Sequence, residues 1–224
     1  EPQSSMVIVE VGTGKIKAMV GGRKQQGRQL YNRALNPRQS GSSIKPISVY
    51  SGALQKSYDL ASEGKKFPFK DTGHDRQGSK YYGDYLTASS VIVDERMTWP
   101  QNASNSFSGA VTMRKALQNS INVCAVKLEL QVGAEYIADL VEKFGITTLD
   151  REGGTNDLNP AALALGGLTN GVIPLEMAQA YAAFPNGGVR QSSIAYTKVT
   201  DRNGKVLLTS KSESSKVLDE GVAF

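Results

Sequence analysis

Ser42-Ser43-Ile44-Lys45 places a hydroxyl and an amine three residues apart. On a helix such positions share a face, so the Lys45 ammonium can reach the Ser42 hydroxyl. A serine at a helix start also lies at the positive end of the helix dipole, where its backbone N–H can donate to a developing oxyanion. For Lys45 to accept the serine proton, it must be neutral near the working pH. Its pKa must then fall from about 10.4 to roughly 7–8, a cost on the order of 4 kcal/mol that burial and nearby positive groups can impose.

A second pair, Ser120-Ile121-Asn122, is the only S-x-N in the chain and falls in what reads as a break between two helices. Alternate residues in such a break can face one cleft. The hydroxyl could relay a proton there, and the carboxamide could hold a substrate amide by its donor and acceptor. Both patterns also fit capping: Ser42 as a helix cap with Lys45 at the surface, Ser120 closing one helix and Asn122 opening the next. Ser62-Glu63-Gly64-Lys65 repeats the S-x-x-K spacing, but in a polar stretch with an internal glycine, and reads as a solvated loop.

The elements that must position these residues follow from periodicity. Met6–Val11 and Lys15–Val20 read as paired strands around the turn Gly12-Thr13-Gly14. A helix is expected from Ser42, with Ile44, Ile47, Ser51 and Leu54 on one face and Pro46 tolerated only near its start. Residues 57–111 read as a loop-rich excursion. Thr112 can cap a helix carrying Met113, Ala116 and Leu117, and a further helix runs through Val123, Val126 and Leu130. Ala134–Phe144 is the clearest amphipathic helix, with Gly145 at its end, and Pro174 suits the first turn of a helix reaching Phe184. Tyr196–Val199 and Lys205–Leu208 flank the turn Asp201–Gly204 as a hairpin, and the polar tail from Thr209 carries no periodic signal. Strand pair, helices, then hairpin is an α+β order.

Composition narrows the chemistry. The 224 residues hold one cysteine, Cys124, and one histidine, His74, which excludes an internal disulfide, a multi-cysteine zinc site and a His-rich metal site. The net charge of +5 comes from scattered basic residues, so no nucleic-acid partner is expected. No apolar run approaches the ~20 residues of a membrane span. His74 sits in a hydrophilic loop as a surface or substrate-rim residue, and Cys124 reads as a buried structural thiol. Tyr81, Tyr82, Tyr85 and Trp99 could line a groove or pack the loop down. Gly166-Gly167 and Gly187-Gly188 read as turn residues.

In combination the motifs resemble those of penicillin-binding proteins and β-lactamases. The surrounding wording resembles the transpeptidase domain of bifunctional (class A) penicillin-binding proteins, in order and over essentially the whole chain. Val7–Gly22 is similar to that family's first hairpin, and Tyr31–Ala34 with Arg38–Pro46 to its nucleophile region. Gly109–Asn122 is similar to its second motif and leading helix, and Ala162–Gly167, Gly171–Ala178 and Asn186–Gly188 complete the likeness.

The resemblance implies a penicillin-recognising serine transpeptidase/β-lactamase-like fold, an antiparallel sheet with helices and an all-helical subregion. It implies a D,D-transpeptidase that cross-links peptidoglycan stem peptides through a serine acyl-enzyme and is acylated by β-lactam antibiotics. Carried over, Ser42 is the nucleophile, Lys45 the proton acceptor, Ser120 the proton relay and Asn122 the substrate-binding amide. No metal or cofactor is implied. A D,D-carboxypeptidase, a β-lactamase, or a non-catalytic relative that binds peptidoglycan or a partner are the alternatives.

One departure stands out. No K-T-G or K-S-G occurs; Lys70-Asp71-Thr72-Gly73 has an extra residue, and Gly12-Thr13-Gly14-Lys15 runs the wrong way. The expectation is therefore that residues 1–224 form the N-terminal portion of a single transpeptidase domain whose C-terminal strands are incomplete. The rest would lie on a separate chain or be absent, leaving the fragment alone with little activity. Within the portion, 1–56 would hold the first hairpin and nucleophile helix, 57–111 the excursion, 112–188 a mainly helical region and 195–208 the second hairpin. The expected location is the extracytoplasmic face of the cell membrane, anchored by an N-terminal segment outside this chain; in the family it resembles, a glycosyltransferase domain would normally precede.

Overall fold

The computed structural model describes residues 2–24, 26–67 and 84–224. His74, Tyr81, Tyr82 and the Lys70–Gly73 near-motif lie outside the described residues. The architecture is α+β: short helices with four two-stranded antiparallel sheets among the described residues. The chain divides into two compact units, one of residues 1–38, 142–148 and 170–224, the other of 39–141 and 149–169.

In the first unit, β1 (Met6–Val9) pairs with β2 (Ile16–Val20). The connecting turn takes the left-handed conformation at Gly12 and Gly14, φ +77° and +68°, which glycine adopts without a Cβ clash. α6 (Pro174–Ala182) begins on its proline and packs on β1. β5 (Val189–Gln191) pairs not with its sequence neighbour but with β8 (Ser214–Lys216). β6 (Lys198–Thr200) and β7 (Val206–Thr209) form the expected hairpin.

The tail thus carries structure that its composition hides: β8, then α7 (Glu220–Ala223) capped by Asp219. Its anchor is Gly188, whose carbonyl accepts from Val217 N and Leu218 N at 2.8 and 3.1 Å. A Cβ there would lie 2.3 Å from the Leu218 oxygen, so only glycine allows that approach.

The second unit is built around α3 (Asn122–Val132), buried on nearly every side: Val123, Cys124, Ala125, Val126 and Leu128 are all core. Lys127 and Glu129 are buried with them, and a helix covered on so many sides belongs inside a bundle rather than on its surface. α1 (Ser51–Ser62), α2 (Met113–Gln118), α5 (Pro160–Leu163) and β3 (Val91–Asp94) pack against it. β3 pairs with β4 (Gly109–Thr112) inside the stretch expected to be irregular. α4 (Ala134–Lys143) buries Ile137, Ala138, Leu140 and Val141, and Ile137 lies against Gly52 of α1. Thr112 caps α2 as expected, its hydroxyl accepting from Lys115 N.

Candidate active site

The segment after Gly41 changes its winding twice before it becomes an α-helix. Gly41–Ile44 is a 3₁₀ turn, Pro46–Tyr50 a π-turn, and α1 follows. Proline explains the first change. Pro46 has no N–H to give the Ser42 carbonyl, so Lys45 N closes a tighter turn onto it at 3.2 Å. The polar side chains Ser48 and Ser51 then bond back to the carbonyls of Ile44 and Pro46 at 2.9 and 2.6 Å, which accommodates the wide turn.

The S-I-N break is a Schellman turn. Ser120 N donates to Leu117 O and Ile121 N to Ala116 O, both at 2.9 Å. The residue at the left-handed position is usually glycine; here it is Ser120, with φ +53°. A residue with a Cβ is strained there by roughly 1–2 kcal/mol. The conformation turns both the carbonyl and the hydroxyl of Ser120 toward one point, and Lys45 occupies it.

Lys45 is completely buried. Its Nζ donates to Ser120 O at 2.8 Å, Ser120 Oγ at 3.2 Å and Asn122 Oδ1 at 2.7 Å. Three donors meet three acceptors, which is the full capacity of an ammonium group. Burial nevertheless pulls its pKa from the ordinary 10.5 to about 8, with neighbouring Cys124 acting weakly in the opposite direction. Beside it, burial pushes the Tyr50 phenol far above its usual value. Cys124 itself is fully buried, as expected.

Ser42 is exposed, and neither its hydroxyl nor its N–H makes a hydrogen bond among the described residues. The expected Lys45–Ser42 hydroxyl contact is therefore not made; the lysine amine is held instead by the S-I-N turn. Ser42 keeps a free hydroxyl and a free backbone donor on an exposed turn. The second S-x-x-K copy builds nothing comparable: Lys65 is exposed and pairs with Glu63 at 2.7 Å. Tyr85 and Trp99 are 43% and 48% exposed, so neither is packed down into the core.

Three features of the site escaped the sequence reading. Asn122 is gripped at both ends, its Nδ2 donating to Gln101 O at 3.0 Å and its N–H to Asn102 Oδ1 at 3.1 Å. Asn102 and Asp94 are both buried and joined at 2.7 Å. Gly166 lies directly on Gly41, where a Cβ would come within 2.1 Å of the Gly41 oxygen, and Gln39 Nε2 donates to Leu168 O nearby. The residue types offered a partial signal: an aspartate ending a β-branched strand and a Pro-Gln-Asn in a long loop are both candidates for buried polar anchoring.

An α+β fold with a serine on an exposed turn and a caged lysine behind it is the layout of a penicillin-recognising serine enzyme. The chain belongs to the penicillin-binding protein transpeptidase domain family, whose model matches residues 4–220. It is 38% identical over its whole length to penicillin-binding protein 1A of Clostridium botulinum. It is 30% identical over 91% of its length to penicillin-binding protein 1A of Neisseria meningitidis. The chain spans about a quarter of the length of these relatives.

Among solved structures, penicillin-binding protein 1A from Haemophilus influenzae superposes with a TM-score of 0.69 at 26% identity, over 95% of this chain and 28% of the other. The PonA1 protein of Mycobacterium tuberculosis, solved in complex with penicillin V, shares the fold at a TM-score of 0.68 and 20% identity, over 99% of this chain and 53% of the other.

Proposed function

We propose that the chain carries part of the active site of a D,D-transpeptidase that cross-links peptidoglycan stem peptides through an acyl-enzyme on Ser42. Ser42 Oγ attacks the carbonyl of the penultimate D-Ala, the C–N bond to the terminal D-Ala breaks, and that residue leaves as a free amine. An amine from a second stem peptide then attacks the ester, forms the cross-link and releases the Ser42 hydroxyl. The free N–H of Ser42 is available to the oxyanion that forms at each attack.

The Lys45 cage is the observation that carries this reading. As an ammonium, Lys45 donates to all three neighbours; as a free amine it has two hydrogens and a lone pair. Of those three partners only the Ser120 hydroxyl has a hydrogen to give back. In this reading the lone pair of deprotonated Lys45 takes the Ser42 proton, and Ser120, already bonded to the amine, is the group through which it is passed to the leaving amine. Asn122 keeps one Nδ2 hydrogen beyond its bond to Gln101, enough to donate to a substrate carbonyl.

β-Lactams would acylate Ser42 in the same way, with ring opening replacing loss of D-Ala; PonA1, of the same fold, was solved with penicillin V. The 224 residues hold no K-T-G, so carboxylate binding and a second oxyanion donor would have to come from other residues. By themselves these residues would then acylate poorly. The substrate places the working site outside the cytoplasmic membrane; no described helix is long and apolar enough to cross one.

The test is intact-mass measurement of the native full-length protein after exposure to penicillin. One penicillin should add to the wild type and none to Ser42→Ala. An adduct that persists in Ser42→Ala overturns the assignment, and a wild type that takes none favours a binding relative. Release of product as cross-linked dimer, free acid or opened β-lactam separates a transpeptidase from a carboxypeptidase or a β-lactamase.

A further inference from the structure

α3 begins at Asn122 with no cap of its own. Ile121, at the capping position, has an apolar side chain and makes no capping bond. The first N–H groups of a helix inside a packed unit need an acceptor. Asn102, twenty residues earlier, supplies it: its Oδ1 accepts from Asn122 N at 3.1 Å and from Val123 N at 3.2 Å. Its Nδ2 donates to Asp94 Oδ1 at 2.7 Å and to Ser106 O at 3.0 Å. The other Asp94 oxygen accepts from Ser108 N at 2.8 Å. Both side chains are at least 95% buried, Asn102 with 5% and Asp94 with 1% of its surface exposed.

The arrangement is directional. Both Asp94 oxygens accept hydrogen bonds, and together with Ser106 O, Asp94 holds the Asn102 NH2 on its own side and leaves Oδ1 for α3. Asn102 then holds the main chain of Asn122 while the preceding carbonyl, Gln101 O, holds its side chain. With both fixed, Asn122 Oδ1 has one orientation left, toward Lys45 Nζ. Ser120, two residues back and strained, inherits the same anchor.

We propose that Asn102, oriented by Asp94, is a positioning residue for the acylation step: it sets the Ser120–Asn122 turn against Lys45 and touches neither substrate nor Ser42. This rests on the Ser42 acyl-enzyme reading. The strands and loop that carry the pair are thereby part of the catalytic apparatus, although neither residue belongs to a motif.

The experiment compares acylation rates of the native full-length protein by penicillin, well below the melting temperature. Asn102→Ala should slow acylation about tenfold or more, the equivalent of one lost hydrogen-bonded anchor. Ile137→Val, a core change in α4 that makes none of these bonds, should lower stability and leave the rate unchanged. The exchanged pair Asp94→Asn with Asn102→Asp restores the capping oxygen and the mutual hydrogen bond but not the donor to Ser106 O, and should recover part of the lost rate. Should Asn102→Ala fail to fold, the single change Asp94→Asn takes its place, because an amide there must set its NH2 against either Asn102 Nδ2 or Ser108 N and so displaces the anchor, and it predicts slowing in the same direction.

Amide exchange at Asn122 and Val123 should accelerate in the slowed variants and return in the exchanged pair. A wild-type acylation rate in Asn102→Ala, or a slowing that Ile137→Val reproduces, overturns the proposal. If the wild type takes no penicillin, it is the acyl-enzyme reading that fails, and the exchange rates still decide whether Asn102 anchors the turn.

Discussion

Lys45 offers the sharpest quantitative test, by pH. The gap between 10.5 and about 8 makes its free amine roughly 300 times more abundant at neutral pH than that of an exposed lysine. About one molecule in ten carries the free base at pH 7. If Lys45 takes the Ser42 proton, acylation should rise about tenfold per pH unit from pH 6 and level off above about 8.

Stability should move with it. The folded value lies below the unfolded one, so the unfolded chain binds more protons between about 8 and 10.5. The stability linked to this group is fully present above the unfolded value and is lost as pH falls through the folded one, a span worth roughly 3 kcal/mol. Lys45→Met removes the titration and shifts stability by a constant. From pH 7 to 9.5 the wild type should therefore gain about 2 kcal/mol over Lys45→Met in urea unfolding. Stopped-flow acylation with a fluorescent penicillin gives the rate profile. A rate that is flat from pH 6 to 9, together with parallel stability curves for the two proteins, would refute a low lysine pKa and the base role built on it.

Two further outcomes follow from backbone geometry. Ser120→Gly relieves the positive φ while Ser120→Ala keeps it, and both lose the hydroxyl. The glycine variant should be about 1 kcal/mol more stable than the alanine variant, with acylation reduced in both; thermal melts showing equal stability would contradict the strain. Gly166→Ala puts a Cβ 2.1 Å from the Gly41 oxygen, so the turn bearing Ser42 must shift by about 1 Å. Misplacement of that size should cost about a hundredfold in acylation rate, measured against an unchanged far-ultraviolet circular dichroism spectrum.

The parts legible in the sequence were those written locally. The hairpin around Gly12–Gly14, the Thr112 cap, the proline start of α6 and the apolar stripe of α4 each announce themselves within a few residues. The two motifs were also legible as candidates, because their residue types and spacings are short-range facts. What joined them was not. Lys45 meets Ser120 and Asn122 across about 75 residues of chain, and no periodicity encodes that contact. Asn102 and Asp94 lay hidden for a related reason: polar residues in an irregular stretch look alike whether solvated or buried. The Gly166–Gly41 approach and the β5–β8 pairing depend on main chain meeting main chain, where side-chain pattern carries no information. The bond foreseen between Lys45 and Ser42 gives way to partners from another segment: Ser120 and Asn122 take all three donors of the amine, which the local spacing does not reveal.

The succession of 3₁₀, π and α turns ahead of α1 has a consequence for how this segment can vary. A π-turn holds one residue more than the α-turn it replaces, so it acts as a spacer inserted behind Pro46. Deleting any single residue between 47 and 50 would let the chain behind Pro46 close into ordinary α winding, the wide turn gone. It would also swing the Gly41–Ile44 turn, Ser42 included, about 100° around the axis relative to α1. Side-chain exchanges here can be repaired by repacking, but a change in residue count cannot. The segment's arithmetic, as much as its chemistry, keeps the hydroxyl aimed.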